Sequence, residues 1–266
     1  LPDPMANFPL FEEPTDFTIW TSSSPDLSDI IDDFTDYKII EEMEKFFERD
    51  EVYRKKKPVH WCMSCHTALA EAEIEYEMKK STSIYVKFPF VREGADAFTS
   101  YPAKPIYMLI WTTTPWTLPA NLAVAINPTF TYVAFETKDE IYIALKDLVE
   151  DITKRAGITD YTVIEEIPAE KLKALTFRHP FIDRNSVVVY ADYVAADTGT
   201  GVVHIAPGHG EEDYDTGIEY GLDIYSPVNE KGEFLEEVRF FKGMNVFDAN
   251  KHIIKKLEEL GRLLHQ

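Results

Sequence analysis

Between Ser83 and Ile205 the sequence runs as a succession of short β-branched and aromatic segments divided by turn residues, and this most narrows the folds open to it. Ser83–Phe90 alternates, with Ile84, Val86 and Phe88 on one side. Ile106–Trp111, Leu122–Ile126, Tyr132–Phe135, Ile141–Leu145, Tyr161–Ile164, Val187–Tyr190 and Val202–Ile205 read as further strands. Many short strands with turns between them favour a barrel or a folded sheet over a doubly wound fold. Helical spacing replaces the alternation near Lys146–Arg155, Glu211–Tyr220 and Asp248–Leu264, and earlier from Leu27 to about Asp50. The expected fold is therefore mixed α/β, a β-barrel core with peripheral helices. The expected division is an irregular acidic lead over residues 1–35, a helix and stem over 36–66, and the main domain over 67–266.

With 45% hydrophobic and 28% charged residues, the composition is that of a globular chain. No apolar run reaches the roughly 18 residues of a membrane helix, and no basic-then-apolar leader opens the sequence. The net charge of −20 runs against nucleic-acid binding, which wants a basic face. Residues 1–51 hold 15 Asp or Glu against 3 Lys or Arg, so most of the excess acid lies away from the motifs below. The two cysteines, Cys62 and Cys65, are too few and too close to staple a domain of this size. A reducing, cytoplasmic setting follows as the expectation.

Two stretches carry chemistry. The first is Trp111-Thr112-Thr113-Thr114-Pro115-Trp116-Thr117-Leu118-Pro119-Ala120-Asn121, at the end of an apolar strand. Its consecutive threonines offer hydroxyls that both donate and accept, and Pro115 redirects the chain. Threonine is also a good strand residue, so the run alone decides nothing. The second stretch is Gly199–Tyr214. Val202–Ile205 reads as a strand delivering His204, and the loop Pro207–Gly210 turns into a helix with Asp213 in its first turn. A carboxylate is favoured there by the helix dipole, and a histidine on a strand is commonly a core residue. Gly199 and Gly201 allow close backbone approach to a ligand, while His209 reads as a loop residue without a chemical role. Cys62-x-x-Cys65 supplies at most half of a tetrahedral zinc site, since no other cysteine is present. No phosphate loop, nucleophile elbow or His-Glu-x-x-His helix occurs, so hydrolysis would depend on neither a catalytic serine nor a zinc-bound water.

The string Trp111–Asn121 resembles the threonine-rich peptide of editing domains in class I aminoacyl-tRNA synthetases, in its isoleucyl form. Valyl and leucyl relatives carry Thr-Thr-Arg-Pro there, where this chain has Thr114. Gly199–Tyr214 resembles a second motif of the same domain, and Ala191–Val194 and Pro58–Cys62 fit as well. Residues 1–35 match nothing in the family, Arg54–Lys57 is unusually basic, and Met63 stands where proline is common. The His-Ile-Gly-His and Lys-Met-Ser-Lys-Ser signatures of amino-acid activation are absent.

The resemblance implies hydrolytic editing of valyl-tRNA(Ile). Asp213 would pair with the α-ammonium of the misattached residue, and His204 would admit valine but not isoleucine. Thr112, Thr113 and Thr114 would hold the ester and the attacking water. Trp116, Asn121, Gly199 and Gly201 complete the expected substrate-binding set. No cofactor is expected for editing; ATP would serve only the full-length enzyme. Cys62 and Cys65 would be half of a zinc site whose other cysteine pair follows the domain. The expected partners are the acceptor end of tRNA(Ile) and the remaining synthetase domains, with the chain a monomer and no membrane involved. Alternatives are a non-catalytic tRNA-binding or structural module, a zinc-dependent interaction module, and a valyl or leucyl editing domain.

Overall fold

A computed structural model describes residues 34–52, 55–78, 80–92, 98 and 104–266. Of the irregular lead expected over residues 1–35, residues 1–33 lie outside the described residues, while Phe34 and Thr35 already belong to a helix; Arg54 of the basic turn Arg54–Lys57 also lies outside them. Helix α1, Phe34–Glu48, belongs to one compact unit, and residues from Lys57 to Gln266 form the larger one.

This unit begins with a small hairpin, β1 (Trp61–Cys62) and β2 (Thr67–Ala68). Next come β3 (Ile84–Pro89), β4 (Ile106–Thr112), β5 (Ala123–Ile126), β6 (Thr131–Glu136) and β7 (Ile141–Leu145). Helix α2 (Val149–Arg155), β8 (Thr162–Pro168), α3 (Ala169–Lys173), β9 (Thr176–Arg178), β10 (Asn185–Tyr190) and β11 (Val202–Ile205) follow. Helix α4 (Glu211–Glu219), α5 (Val246–Glu259) and β12 (Leu263–His265) close it. The mixed α/β class and its peripheral helices are as expected.

The barrel is not. The strands form a six-stranded sheet, in the order β12-β3-β4-β7-β6-β8, and a four-stranded sheet, in the order β11-β5-β10-β9. Neither sheet closes among the described residues, because β12 and β8 are edges of one and β11 and β9 edges of the other. Strand β4 runs antiparallel to β3 and parallel to β7, so it is held on both sides. Strand β5 is likewise central, parallel to β10 and antiparallel to β11. Phe88, Tyr132, Phe135 and Phe177 are wholly buried, and the main apolar core takes residues from both sheets. The helical stripe read through to Leu264 ends earlier. Gly261 adopts φ +63°, which terminates α5 and sends Leu263–His265 back along β3 as a strand.

No helix among the described residues is long and apolar enough to cross a membrane.

Two clasps join the sheets beside β11. Tyr132 of β6 donates its hydroxyl to the Gly201 carbonyl at 2.9 Å, and the Leu145 amide of β7 donates to the Thr200 carbonyl at 2.9 Å. Gly201 has φ +69°, and a Cβ there would stand 2.3 Å from that of Leu145. The glycine therefore lets two strands approach, which accounts for it without any ligand.

Candidate functional site

Strand β4 ends at Thr112, and Pro115 turns the chain into a 3-10 segment, Pro115–Ala120. Thr112 is buried, while Thr113 and Thr114 are half-buried. The Thr112 hydroxyl accepts the Thr114 amide at 3.1 Å and lies 3.2 Å from the Thr114 hydroxyl. No hydrogen bond occupies the Thr113 hydroxyl among the described residues. Thr117 donates its hydroxyl to the Thr114 carbonyl at 2.9 Å.

That bond fixes the protonation of His204. A hydroxyl has a single hydrogen, and the one on Thr117 goes to a carbonyl. The His204 Nε2, 3.0 Å from the Thr117 oxygen, must therefore be the donor. His204 Nδ1 is then a bare acceptor, buried without a partner. Burial pushes the imidazole pKa down to about 4, so the ring is neutral at physiological pH.

Asp213 stands in the first turn of α4, after the N-cap Gly210. Its Oδ2 accepts the Ala206 amide at 2.8 Å. Burial raises its pKa to about 7, against the pull of that hydrogen bond, and Glu212 adds to the rise. A carboxyl poised there is readily ionised by an incoming cation, because pairing lowers its pKa again.

The two sequence motifs thus meet across the seam between the sheets. Thr117 binds His204, and Trp116 stands edge-on to His209 with ring centroids 5.0 Å apart. Trp111 packs beside Gly199, where a Cβ would come within 3.2 Å of the indole. His209 lies in the turn between β11 and α4, as expected, and is buried against Trp116. Trp116 itself is 2% exposed.

Asn121 is fully buried and turned inward. Its amide donates to the Ala123 carbonyl at 2.7 Å and its oxygen accepts from Ser186. These bonds pin the chain just after the Pro115–Ala120 turn. His179 and Arg184 act from the same side, on the carbonyls of Leu118 (2.8 Å) and Pro119. Thr117, His209 and Asn250 frame the site, although the sequence assigned none of them a part in it. Thr117 lay inside the motif and was legible there; Asn250, on a distant helix, carried no signal.

Gly208 packs against backbone, since a Cβ there would meet the Tyr225 carbonyl oxygen at 2.4 Å. Gly208→Ala is expected to destabilise the fold by about 1–3 kcal/mol through overpacking against atoms with no rotamer to relieve it. Thermal melting checks this, and an unchanged midpoint would contradict it.

Cys65 donates its amide to the Cys62 sulfur at 3.3 Å, and that contact with the Ser64 amide holds the Cys62 thiol below its usual range. This arrangement suits a metal-bound thiolate, yet no cluster of three or more candidate ligands exists among the described residues. The pair could supply at most two of the four ligands that a tetrahedral zinc site needs.

Residues 28–175 match the model for tRNA synthetases class I (I, L, M and V). The isoleucine–tRNA ligase of Desulfovibrio desulfuricans is 48% identical over 226 residues, covering 85% of this chain and 24% of that protein. That of Petrotoga mobilis is 48% identical over 227 residues with the same coverage. This chain thus spans about a quarter of the length of these relatives. Among solved structures, GlLeuRS-CP1 is similar at a TM-score of 0.54 and 18% identity, covering 68% of this chain and 97% of that one. The editing domain of the P. knowlesi cytosolic leucyl-tRNA synthetase reaches 0.52 at 12% identity, covering 70% and 96%. At those identities the likeness is one of fold.

Proposed function

The chain belongs to the class I tRNA synthetase family, and from that premise we propose that its site hydrolyses misacylated tRNA, cleaving the ester of valyl-tRNA(Ile) and excluding isoleucine. The observation that carries this reading is the Thr117–His204 bond, which brings the threonine string and the Gly199–Tyr214 stretch into one site. A pocket separates valine from isoleucine by only ~1–3 kcal/mol, the pair for which that limit is customarily stated, so a second, smaller site is needed for fidelity.

In the proposed reaction, Asp213 ionises on meeting the α-ammonium and holds it by a charge-assisted bond. The half-buried hydroxyls of Thr113 and Thr114 hydrogen-bond the ester and the attacking water. Water adds to the ester carbonyl, the carbon–ribose oxygen bond breaks, and the ribose oxygen takes the proton that water gives up, with the neighbouring ribose hydroxyl as its relay. Neutral His204 forms the wall against the longer side chain. The partners on this reading are the tRNA(Ile) acceptor end and the rest of the synthetase, in the cytoplasm, with the chain a monomer. ATP would serve only amino-acid activation elsewhere.

Single-turnover deacylation tests the proposal. Valyl-tRNA(Ile) is expected to be cleaved and isoleucyl-tRNA(Ile) spared, and no cleavage of either would remove the reading. Chelation is expected to leave the rate unchanged, because no step here draws on a metal; any zinc at Cys62 and Cys65 is structural. A second reading, a non-catalytic structural module of the synthetase, is favoured by the net charge of −20, which runs against holding tRNA. Neither binding nor cleavage of the charged tRNA in the same assay would select it.

A further inference from the structure

A 3-10 or α-helical turn leaves its first amides without intrahelical partners, and a threonine at the N-cap ordinarily spends its hydroxyl on one of them. Thr114 is the N-cap of the segment Pro115–Ala120 but makes no such bond. Pro115 has no amide hydrogen, so the first donor in need is Trp116. Its amide is taken from outside, by the side-chain oxygen of Asn250 on α5, at 2.9 Å. The next amide, of Thr117, is met by the Thr114 carbonyl at 3.1 Å. Among the described residues the Thr114 hydroxyl is therefore left with only its 3.2 Å contact to the Thr112 hydroxyl, and the residue is half-buried.

We propose that Asn250 is a positioning residue that caps the Pro115–Ala120 turn in place of Thr114 and so keeps the Thr114 hydroxyl free to bind the reacting water or ester. The proposal rests on the editing reading for its chemistry, but not for its geometry. Without Asn250, the nearest substitute acceptor for the Trp116 amide is the N-cap hydroxyl itself. Thr114 would rotate to cap its own turn and leave the substrate.

Three variants of the chain decide it: Asn250→Ala, Thr114→Ala and the pair together. Asn250→Ala is expected to slow single-turnover cleavage of valyl-tRNA(Ile) by about 10²-fold, the scale of losing one hydrogen-bond donor to the reacting centre, with KM little changed. Thr114→Ala should match it, and the double variant should be no slower than either alone. Asn250→Asp should retain most of the rate, since a carboxylate also accepts the Trp116 amide. A wild-type rate in Asn250→Ala, or losses that multiply in the double variant, would overturn the proposal.

Hydrogen exchange of the Trp116 amide reads the geometry without activity. Protection should persist in both single variants and collapse only in the double. Collapse in Asn250→Ala alone would show that Thr114 does not take over, and would overturn it. If the wild-type chain cleaves nothing, the editing reading falls while the exchange pattern still decides the role of Asn250.

Discussion

Asp213→Asn is expected to abolish hydrolysis of valyl-tRNA(Ile) and, at the same time, to make the protein more stable above neutral pH. The loss of activity follows from removing one partner of a buried charge pair, which costs about 3–5 kcal/mol, or roughly 10²–10⁴-fold in rate. The stability gain follows from linkage. Burial raises the Asp213 pKa from 3.8 to about 7, so the folded chain holds its proton where the unfolded chain has lost it. The folded state is then favoured below about pH 4, loses ground as pH rises through the window from 4 to 7, and is constant above it. The ceiling on that loss is about 4 kcal/mol, at 1.36 kcal/mol per unit. Asparagine keeps an acceptor for the Ala206 amide and has nothing to ionise. Melting curves of the two proteins should converge near pH 4 and separate by pH 8; curves that stay together would show that Asp213 is not desolvated. In activity, kcat/KM for the wild type should fall on the acid side with a midpoint near 7, and kcat with a lower one, because the bound ammonium draws the pKa down.

His204→Ala should turn a proofreader into an indiscriminate esterase. The imidazole is held by one bond, to Thr117, and Thr117 already has the Thr114 carbonyl for its hydrogen. Removing the ring leaves no new unpaired donor, only space. Cleavage of isoleucyl-tRNA(Ile) should then rise by about 10–200-fold, the range of a single methylene's discrimination. Because the ring is neutral well above its pKa of about 4, the exclusion of isoleucine by the wild type should not change between pH 6 and 8. Intact isoleucyl-tRNA in the presence of His204→Ala would refute the steric role.

The strands that matter most were readable because their chemistry is local. Ile106–Trp111 and Val202–Ile205 declare themselves by composition, and the observed strands extend the first by one residue and reproduce the second. Closure was not readable. Whether β12 or β8 returns to pair with a distant edge depends on contacts that alternation does not encode. Short elements such as Thr176–Arg178 and Ala169–Lys173 were missed because three to five residues carry too little periodicity to register. Within the site, residues inside a motif could be named, but their roles could not all be sorted. Asn121 and Trp116 stand among the same few positions as Thr113, yet they are buried where Thr113 is half-buried. Asn250 contributes one oxygen from 134 positions away, and nothing in its own neighbourhood of α5 advertises it.

The clasp between the sheets has a consequence for selectivity. Thr112 rides on one sheet and His204 on the other, so on the proposed reading the width available to a side chain is a gauge set by how closely the sheets sit. Gly201 against Leu145 is the shim in that gauge, and the hydroxyl of Tyr132 is the bolt. On the proposed reading a single methylene is the margin being measured. On this view fidelity is governed as much by residues that never meet the substrate as by those that line its pocket, and drift in the shim would first show itself as lost discrimination rather than lost catalysis.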